Sequence, residues 1–182
     1  MYAIQEVTKS IDGEELIRSR SGKVYVLREF RVHDLASVVH INRAVLPENY
    51  PEFFFMEHHI NFPKAFIVAE LDGKVVGYVM SRVEFGWSNF KKMVPVRKGH
   101  IISIGVLPEV RRIGIGYNLL LRTLRSLKHH YDANEVYLEV RVSNTPAINL
   151  YKKLNFQIIN VIKGYYHDGE DAYLMARVLD DL

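Results

Sequence analysis

Apolar residues alternate with polar ones from Val24 to Phe30, as in a half-buried strand, and then recur at helical spacing as far as Leu46. Pro47 ends this helix, and a second short helix, with an aromatic run at 53–55, is closed by Pro63. We expect this aromatic run to be exposed. The pattern therefore predicts a strand followed by two helices.

The rest of the chain shows the same two spacings of apolar residues, the alternation of a strand and the spacing of a helix. Asp72-Gly73 is the strongest hairpin signal, because an Asp-Gly pair suits a two-residue turn. Gly114 begins a long amphipathic helix. Ser143 or Asn144 can cap the next helix, which ends at Asn155, a residue that tolerates left-handed backbone. The remaining strands are predicted at 65–71, 74–85, 99–106, 135–142, 156–163 and 171–178, with a loop at 86–97.

The predicted order β-α-α-β-β-β-α-β-α-β-β describes an α/β (α+β) fold, in which helices cover the faces of a mixed, twisted sheet. Antiparallel hairpins at both ends flank one parallel crossover. The chain contains no repeat and no Gly/Ser/Pro-rich linker. We expect residues 1–23 to be an N-terminal extension of uncertain order and residues 24–182 to be a single domain.

Composition narrows the classes of function. Lys and Arg number 24 and Asp and Glu 21, and a net charge of +3 over 182 residues is too small and dispersed for a dedicated nucleic-acid binder. The absence of cysteine excludes disulfides, a thiolate zinc site and a cysteine nucleophile. No segment approaches 18 consecutive apolar residues, so we expect a soluble cytoplasmic protein without a membrane partner.

The most specific chemistry lies between Ile104 and Tyr117, where a strand leads through a basic, glycine-containing turn into a helix. The N–H groups and the positive dipole end of a helix N-terminus suit a pyrophosphate. Gly114 and Gly116 have no Cβ to block its approach, and Arg111 or Arg112 adds positive charge. A Rossmann fingerprint and a P-loop are excluded, because the former's third glycine and the latter's Gly-Lys-Ser/Thr are absent.

Arg111-x-x-Gly114-x-Gly116 resembles the acetyl-CoA motif of the GNAT acetyltransferases. The segment 144–156 resembles their second signature, with Asn155 in place of the usual glycine. Within that superfamily, further segments resemble the catalytic subunits of N-terminal protein acetyltransferases, especially the archaeal ones: residues 46–51, 97–100, 137–144 and 163–166. The resemblance covers roughly residues 24 to 178.

This resemblance implies the GNAT fold, acetyl-CoA as cosubstrate, and transfer of its acetyl group to the N-terminal α-amine of proteins or peptides. A ribosome or an auxiliary subunit is a further candidate partner, and no specific nucleic acid is expected. Gly105 could permit a bulge that leaves strand N–H and C=O groups free. The residues expected to bind acetyl-CoA are Ile104, Gly105, Val106, Arg111, Arg112, Ile113, Gly114, Ile115, Gly116, Tyr117, Asn144 and Tyr151.

Acetyl transfer needs a neutral amine, a polarised thioester carbonyl and a protonated leaving thiol. His100 is the first candidate base, because histidine titrates near neutral pH and strand alternation places it on the same face as Ile104. Glu139 on the next strand can share the site. The resemblance implies that Tyr151 approaches the thioester sulfur, where its phenol could protonate the departing thiolate. A backbone N–H within 104–106 is the expected oxyanion donor.

The resemblance also implies that Glu48 is a substrate contact or an additional base, and that Tyr50 and Tyr166 bind the peptide N-terminus. Simpler roles stay open for the other candidates, since a strand-end histidine can be structural, Tyr151 can pack in the core and Asn144 can cap a helix.

Three other functions compete with N-terminal acetylation: acetylation of a lysine side chain or a small amine, a non-catalytic acetyl-CoA-binding subunit, and a basic nucleic-acid module. No metal is expected, because His100 and Glu139 supply only two ligands. His58-His59 is expected at the surface.

Overall fold

The computed structural model describes residues 7–11 and 13–182, with side chains from residue 13 onward. Residues 1–6 and 12 of the expected N-terminal extension therefore lie outside the described residues. In the described part of the chain, the strands are β1 Val7–Ile11, β2 Glu14–Arg18, β3 Val24–Glu29, β4 Phe66–Leu71, β5 Lys74–Trp87, β6 Pro95–Val106, β7 Glu135–Arg141, β8 Gln157–Ile162 and β9 Ala172–Val178. The α-helices are α1 Leu35–Val45, α2 Glu52–Asn61, α3 Ile115–His129 and α4 Thr145–Lys153.

From β3 onward, the predicted order of strands and α-helices is confirmed. β1 and β2 precede it, in a region where no strand was predicted. The described residues form two compact units: the first runs up to Ser81 and includes Ser103–Thr123, and the second comprises Arg82–Ile102 and Leu124–Leu182. β5, β6 and α3 each contribute residues to both units. That residues 24–182 act as one domain stays a prediction.

In the first unit, β1 to β5 are neighbours in chain order, and each pair is antiparallel. Large apolar side chains from the strands and from α1 and α2 fill its core, because each of these elements is apolar on the face that it turns inward. The fully buried members include Leu27, Ile41, Phe55, Phe66 and Tyr78.

The aromatic run on α2 is only partly exposed. Phe53 is 70% exposed, as expected, but Phe55 is fully buried. The expectation that His58 lies at the surface is wrong, because His58 is buried and its Nδ1 lies 2.8 Å from the carbonyl oxygen of Phe54. Residues three apart share one face of a helix, so the face that buries Phe55 also buries His58.

In the second unit the strand order is β6-β7-β9-β8, with β9 antiparallel to both of its neighbours. β6 and β7 are parallel, from Lys98 opposite Glu135 to His100 opposite Tyr137. This is the predicted parallel crossover, and it makes the sheet mixed. Among the helices that the structure describes, none is long and apolar enough to cross a membrane.

Candidate active site

The glycine-containing turn before α3 lies in the first unit. Nε of Arg111 donates to the carbonyl oxygen of Val106 at 2.9 Å, which ties the turn to the end of β6. Arg112 and Gly114 both adopt left-handed backbone, with φ of 68° and 92°, and α3 begins at Ile115. Left-handed residues in such a turn direct backbone N–H groups into a concavity that suits an anion. The turn is therefore chemically suited to a diphosphate.

Two polar contacts fix the start of α3 against β3. Nδ2 of Asn118 donates to the hydroxyl of Tyr25 at 2.7 Å, and Nη1 of Arg122 donates to the carbonyl oxygen of Leu27 at 2.7 Å. Burial raises the pKa of Tyr25, although the Asn118 contact opposes this, so the phenol stays protonated. Tyr117, a predicted cofactor residue, is exposed on the first turn of α3.

Gly105 on β6 packs against α1 and Tyr78. A Cβ at this position would be 3.0 Å from Cγ2 of Val45, 3.1 Å from Cγ2 of Ile41 and 3.2 Å from Cε1 of Tyr78. Such distances are tighter than ordinary van der Waals contact, so packing alone accounts for a glycine here. The bulge expected at Gly105 stays a prediction.

The turn between α1 and α2 carries the predicted substrate residues Glu48 and Tyr50, and buried Asn42 holds it. Nδ2 of Asn42 donates to the carbonyl oxygen of Glu48 at 3.2 Å and to the hydroxyl of Tyr78 at 3.1 Å, while its Oδ1 accepts from the N–H of Tyr50 at 3.3 Å. The Tyr78 hydroxyl lies 2.6 Å from Oγ of Ser103. Burial raises the pKa of Tyr78 to about 12, so this buried network contains a neutral phenol.

His100 and Glu139, which the sequence predicted to share a site, lie together in the second unit. Nε2 of His100 is 2.7 Å from Oε2 of Glu139, and the side chains are 12% and 15% exposed. The parallel pairing that aligns their strands ends at His100 and Tyr137, whereas β6 runs on to Val106 and β7 to Arg141. A carboxylate at this distance can stabilise the imidazolium that forms when a histidine accepts a proton as a general base.

Sequence reasoning missed two residues beside this pair. The hydroxyl of Tyr137 donates to Oε1 of Glu84 and lies 3.1 Å from Nδ1 of His100, and its ring stacks on the imidazole at a centroid distance of 4.1 Å. Burial and, next, the bond to Glu84 raise the pKa of Tyr137 well above its ordinary value. Alternation along β7, which puts Tyr137 and Glu139 on one face, could have revealed Tyr137, but no signal in the sequence marks Glu84.

Two further predicted residues lie on or beside α4 in the second unit. Asn144 caps the helix, because its Oδ1 accepts from the N–H of Ala147 at 3.3 Å. Oγ of Ser143, the other candidate cap, donates instead to Glu170 at 2.5 Å. Tyr151 is buried, which raises its pKa to about 12. The capping and packing roles are thus confirmed, and contacts of both residues with acetyl-CoA stay predictions.

Tyr166, predicted to bind the peptide, lies beside a charged cluster in the second unit. The guanidinium carbon of Arg141 is 4.0 Å from the centroid of the Tyr166 ring, and Nη1 of Arg141 is 2.7 Å from both Asp168 and Glu170. The N–H of Glu170 and then Arg141 lower the pKa of Asp168, while Ser143 and then Arg141 lower that of Glu170. Arg141 thus joins Tyr166 to the end of β7.

The mixed sheet, the glycine-containing turn before α3 and the His100–Glu139 contact are the features expected of an acetyl-CoA-dependent acetyltransferase. The acetyltransferase (GNAT) family model matches residues 33–156, and the chain belongs to this family. The predicted fold, enzyme class and cosubstrate are thereby confirmed.

Individual relatives agree with this assignment. The N-alpha-acetyltransferase of Sulfurisphaera tokodaii is 54% identical over 166 residues, which are 91% of this chain and 99% of that protein. The N-terminal acetyltransferase A complex catalytic subunit ard1 of Schizosaccharomyces pombe is 35% identical over 153 residues, 83% of this chain and 84% of that protein. The crystal structure of Chaetomium thermophilum Naa20 with a bisubstrate analogue is similar with a TM-score of 0.74 and 32% identity, over 84% of this chain and 85% of that chain. The resemblance to N-terminal acetyltransferases is confirmed.

Proposed function

We propose that His100 and Glu139 take the proton from the N-terminal α-amine of a protein while this amine attacks the thioester of acetyl-CoA. Acetylation of protein N-termini is the activity of this chain, and it is the activity that the names of the relatives give for them. The observation that carries the proposed role is the 2.7 Å contact between Nε2 of His100 and Oε2 of Glu139.

The proton requirement favours an α-amine as acceptor. The reaction forms an N–C bond, breaks the C–S bond of the thioester and removes one proton from nitrogen. An α-amine titrates near ~8 and a lysine near ~10.4, so the lysine costs about 3 kcal/mol more to deprotonate at neutral pH. A histidine–carboxylate pair, acting directly or through one water, suffices for the α-amine.

The diphosphate of acetyl-CoA is assigned to the turn and the first residues of α3, between Arg111 and Tyr117. The left-handed backbone at Arg112 and Gly114 supports this assignment, as does the positive end of the α3 dipole. Acetyl-CoA supplies the activated acetyl group. A backbone N–H within 104–106 stabilises the negative charge on the carbonyl oxygen, and Asn144 is assigned a cofactor contact besides its cap.

Tyr151 is assigned to protonate the departing thiolate. Its pKa of about 12 keeps the phenol protonated at neutral pH, which is the state that a proton donor needs. Its burial in the second unit also limits access of water to the hydroxyl.

Glu48, Tyr50 and Tyr166 are assigned to the peptide substrate. The carboxylate of Glu48 attracts the incoming α-ammonium group before its deprotonation or serves as an additional base, and the phenols bind peptide backbone, which every N-terminus offers. The hydrogen bonds from Asn42 to the Glu48–Tyr50 turn support a rigid presentation of the first two residues.

We place the enzyme in the cytoplasm, with an auxiliary subunit or the ribosome as its partner. The S. pombe relative is named as the catalytic subunit of a complex, which supports an auxiliary subunit here. Co-sedimentation of this chain with ribosomes would separate the two partners.

Transfer of labelled acetyl from acetyl-CoA to two matched peptides tests the proposed function. One peptide has a free N-terminus and no lysine, and the other has the same sequence with a blocked N-terminus and one added lysine. We expect labelling of the first peptide alone. Labelling of the second alone indicates lysine acetylation, and acetyl-CoA binding without any transfer indicates a non-catalytic subunit.

A further inference from the structure

The segment 85–97 of the second unit, which ends β5 and begins β6, exposes several large apolar side chains to solvent. Phe85 is 79% exposed, Trp87 65% and Met93 78%. Isolated apolar side chains are common on protein surfaces, whereas several of them together indicate an interaction site. We call residues 85–97 the basic hairpin, because they also carry positive charge.

The charges of the basic hairpin all have one sign. It contains Lys91, Lys92 and Arg97 but no Asp or Glu. The net charge of the whole chain is also +3, so the charges of the remaining residues balance. Arg97 lies 3.6 Å from Asp132, whereas Lys91 and Lys92 are exposed in the loop between the two strands. A local positive surface of this kind attracts an anionic partner.

Hydrogen bonds hold the loop of the basic hairpin in place. Oγ of Ser88 donates to Oε1 of buried Glu135 and accepts from the N–H of Lys91 at 2.9 Å. The N–H of Asn89 donates to Oε2 of Glu135 at 2.8 Å. Because these contacts already order the backbone, a partner can bind here without the entropic cost of ordering a flexible loop.

The exposed rings of the basic hairpin lie close to its cations. Phe85 and Trp87 are two residues apart on β5 and therefore share one face of the strand. The guanidinium carbon of Arg97 is 5.1 Å from the centroid of the Phe85 ring. Proteins that bind single-stranded nucleic acid combine aromatic rings, on which bases stack, with cations that bind phosphates. An acidic protein supplies the negative charge but no bases for the rings.

The position of the two lysines disfavours a lipid surface as the partner. Lys91 and Lys92 directly precede Met93 in the loop between β5 and β6. Insertion of Met93 into a bilayer would carry both ammonium groups toward the hydrocarbon, where a charge is strongly disfavoured. A nucleic-acid strand contacts the rings and the lysines without removing these charges from water.

We propose that the basic hairpin is a docking surface for single-stranded RNA, whose phosphates contact Lys91 and Lys92 and whose bases stack on Phe85 and Trp87. This inference rests on the proposed function, in which the ribosome is a partner, and it identifies loops of ribosomal RNA as the component that this chain contacts. Binding is independent of base sequence, because phosphate contacts and stacking do not read base edges.

Fluorescence anisotropy of an end-labelled oligouridine of about 12 nucleotides tests this inference without acetyl-CoA or peptide. We expect the wild type to bind it with an affinity that falls as the salt concentration rises. Lys91→Gln/Lys92→Gln should bind about tenfold more weakly at low salt. Its salt slope should be smaller by about 1.4, since each phosphate contact with a single strand contributes ~0.7. The matched control Lys152→Gln/Lys153→Gln, another exposed pair of neighbouring lysines, should bind as the wild type does.

Trp87 is the single tryptophan of the chain, so its fluorescence reports directly on stacking. Oligouridine should quench this fluorescence in the wild type. Trp87→Leu should bind the RNA about tenfold more weakly, as expected when a base loses its aromatic partner. Phe53→Leu, which replaces a similarly exposed ring on α2, should bind as the wild type does.

Wild-type affinity in Lys91→Gln/Lys92→Gln, or unquenched Trp87 fluorescence, would overturn the docking surface. Tighter binding to polyglutamate or to phosphatidylglycerol vesicles than to oligouridine would also overturn it, in favour of an acidic protein or a lipid surface. The lysine variant should acetylate a short peptide with the wild-type kcat, because it retains the residues assigned to catalysis. An absence of transfer in the wild type would instead overturn the proposed function.

Discussion

Single residues with left-handed backbone mark the ends of the helices near the site. Asn155 has φ of 62° two residues after α4 ends at Lys153, which confirms the prediction that this residue takes the left-handed conformation at the end of the helix. Gly114 has φ of 92° directly before α3. A side chain at such a φ is strained by about 1–2 kcal/mol, and asparagine tolerates it better than most residues. Glycine at 114 therefore serves the backbone as well as the approach of an anion.

Gly114→Ala should weaken coenzyme A binding beyond its effect on folding. We expect a loss of about 1–2 kcal/mol in the free energy of unfolding, and affinity for coenzyme A about tenfold lower, or about 1.4 kcal/mol. Isothermal titration and urea denaturation measure the two quantities. Gly73→Ala is the matched control, because Gly73 has φ of 73° in the β4–β5 turn. Equal affinities in the two variants would contradict the assigned diphosphate site.

The sequence predicted His100 and Glu139 but not Tyr137 and Glu84, which lie beside them. Strand alternation and a family motif both point to this pair, and these signals are local. The contact between Tyr137 and Glu84 joins residues 53 positions apart, and only the folded sheet brings them together. His58 illustrates the same limit, since the side of α2 that becomes buried depends on what packs against it.

At the scale of elements, the apolar pattern located strands and helices better than it located their ends. The predicted loop at 86–97 is shorter in the structure, because β5 extends to Trp87 and β6 starts at Pro95. A hydrogen bond from the N–H of Ser88 to the carbonyl oxygen of Val94, at 2.8 Å, joins the two ends of the loop that remains. Backbone hydrogen bonds extend both strands, and they leave no pattern of apolar side chains in the sequence. β1 and β2 were not predicted for the same reason, because backbone pairing with neighbouring strands forms them.

Arg28 joins three elements of the first unit, and its loss should destabilise the fold. Its guanidinium lies 2.7 Å from Asp34 at the start of α1 and 2.8 Å from Glu70 on β4, and both Arg28 and Asp34 are buried. Arg28→Met leaves a buried carboxylate without its partner, so we expect a loss of about 3–5 kcal/mol in urea denaturation. The control is Arg31→Met, since Arg31 and Glu14 are 54% and 40% exposed and such a pair contributes about 0–1 kcal/mol.

The pairing of Asp34 with Arg28 also predicts how the stability of the fold changes at acid pH. Burial raises its pKa, but the bonds from Arg28 and from the N–H of Arg31 outweigh this, and the net pKa lies below the ordinary 3.8. Its contribution to stability is therefore present above that value and is lost as the pH falls through the lower, folded value. As the pH falls through this range, the free energy of unfolding of Arg28→Met should decrease less than that of the wild type. An equal decrease in both proteins would contradict the pairing of Arg28 with Asp34.

At the scale of the whole molecule, each unit contains a buried tyrosine that reports on its folding. Burial raises the pKa of Tyr78 in the first unit and of Tyr151 in the second to about 12, from 10.0. The unfolded chain loses these protons first, so stability is complete below pH 10 and falls as the pH rises toward 12. We expect the urea midpoint to drop between pH ~10 and ~12.

Replacement of Tyr151 tests whether the buried tyrosines cause the loss of stability at alkaline pH. Tyr151→Phe should show a smaller alkaline drop than the wild type, whereas Tyr173→Phe should show the same drop. An equal drop in all three proteins would assign the alkaline loss to other groups.

The order of the strands and helices could largely be predicted from the sequence. The strands and helices from β3 to β9 follow from the apolar spacing together with the turn and proline signals between them, and the parallel pairing of β6 with β7 follows from the helix that separates them. The division of the described residues into two units could not be predicted, because β5, β6 and α3 run through both without a linker. Long-range packing, not composition, sets that division.

We propose that His100 and Glu139 in the second unit remove the proton and that the turn at Gly114 in the first unit binds coenzyme A. The double variant His100→Ala/Glu139→Gln, assayed for kcat on a peptide N-terminus and for the Kd of coenzyme A, tests it most directly. We predict that kcat falls about 10²–10⁴-fold while the Kd stays within about threefold, or ~0.7 kcal/mol. An unchanged kcat, or a Kd that weakens as much as kcat falls, would contradict the account.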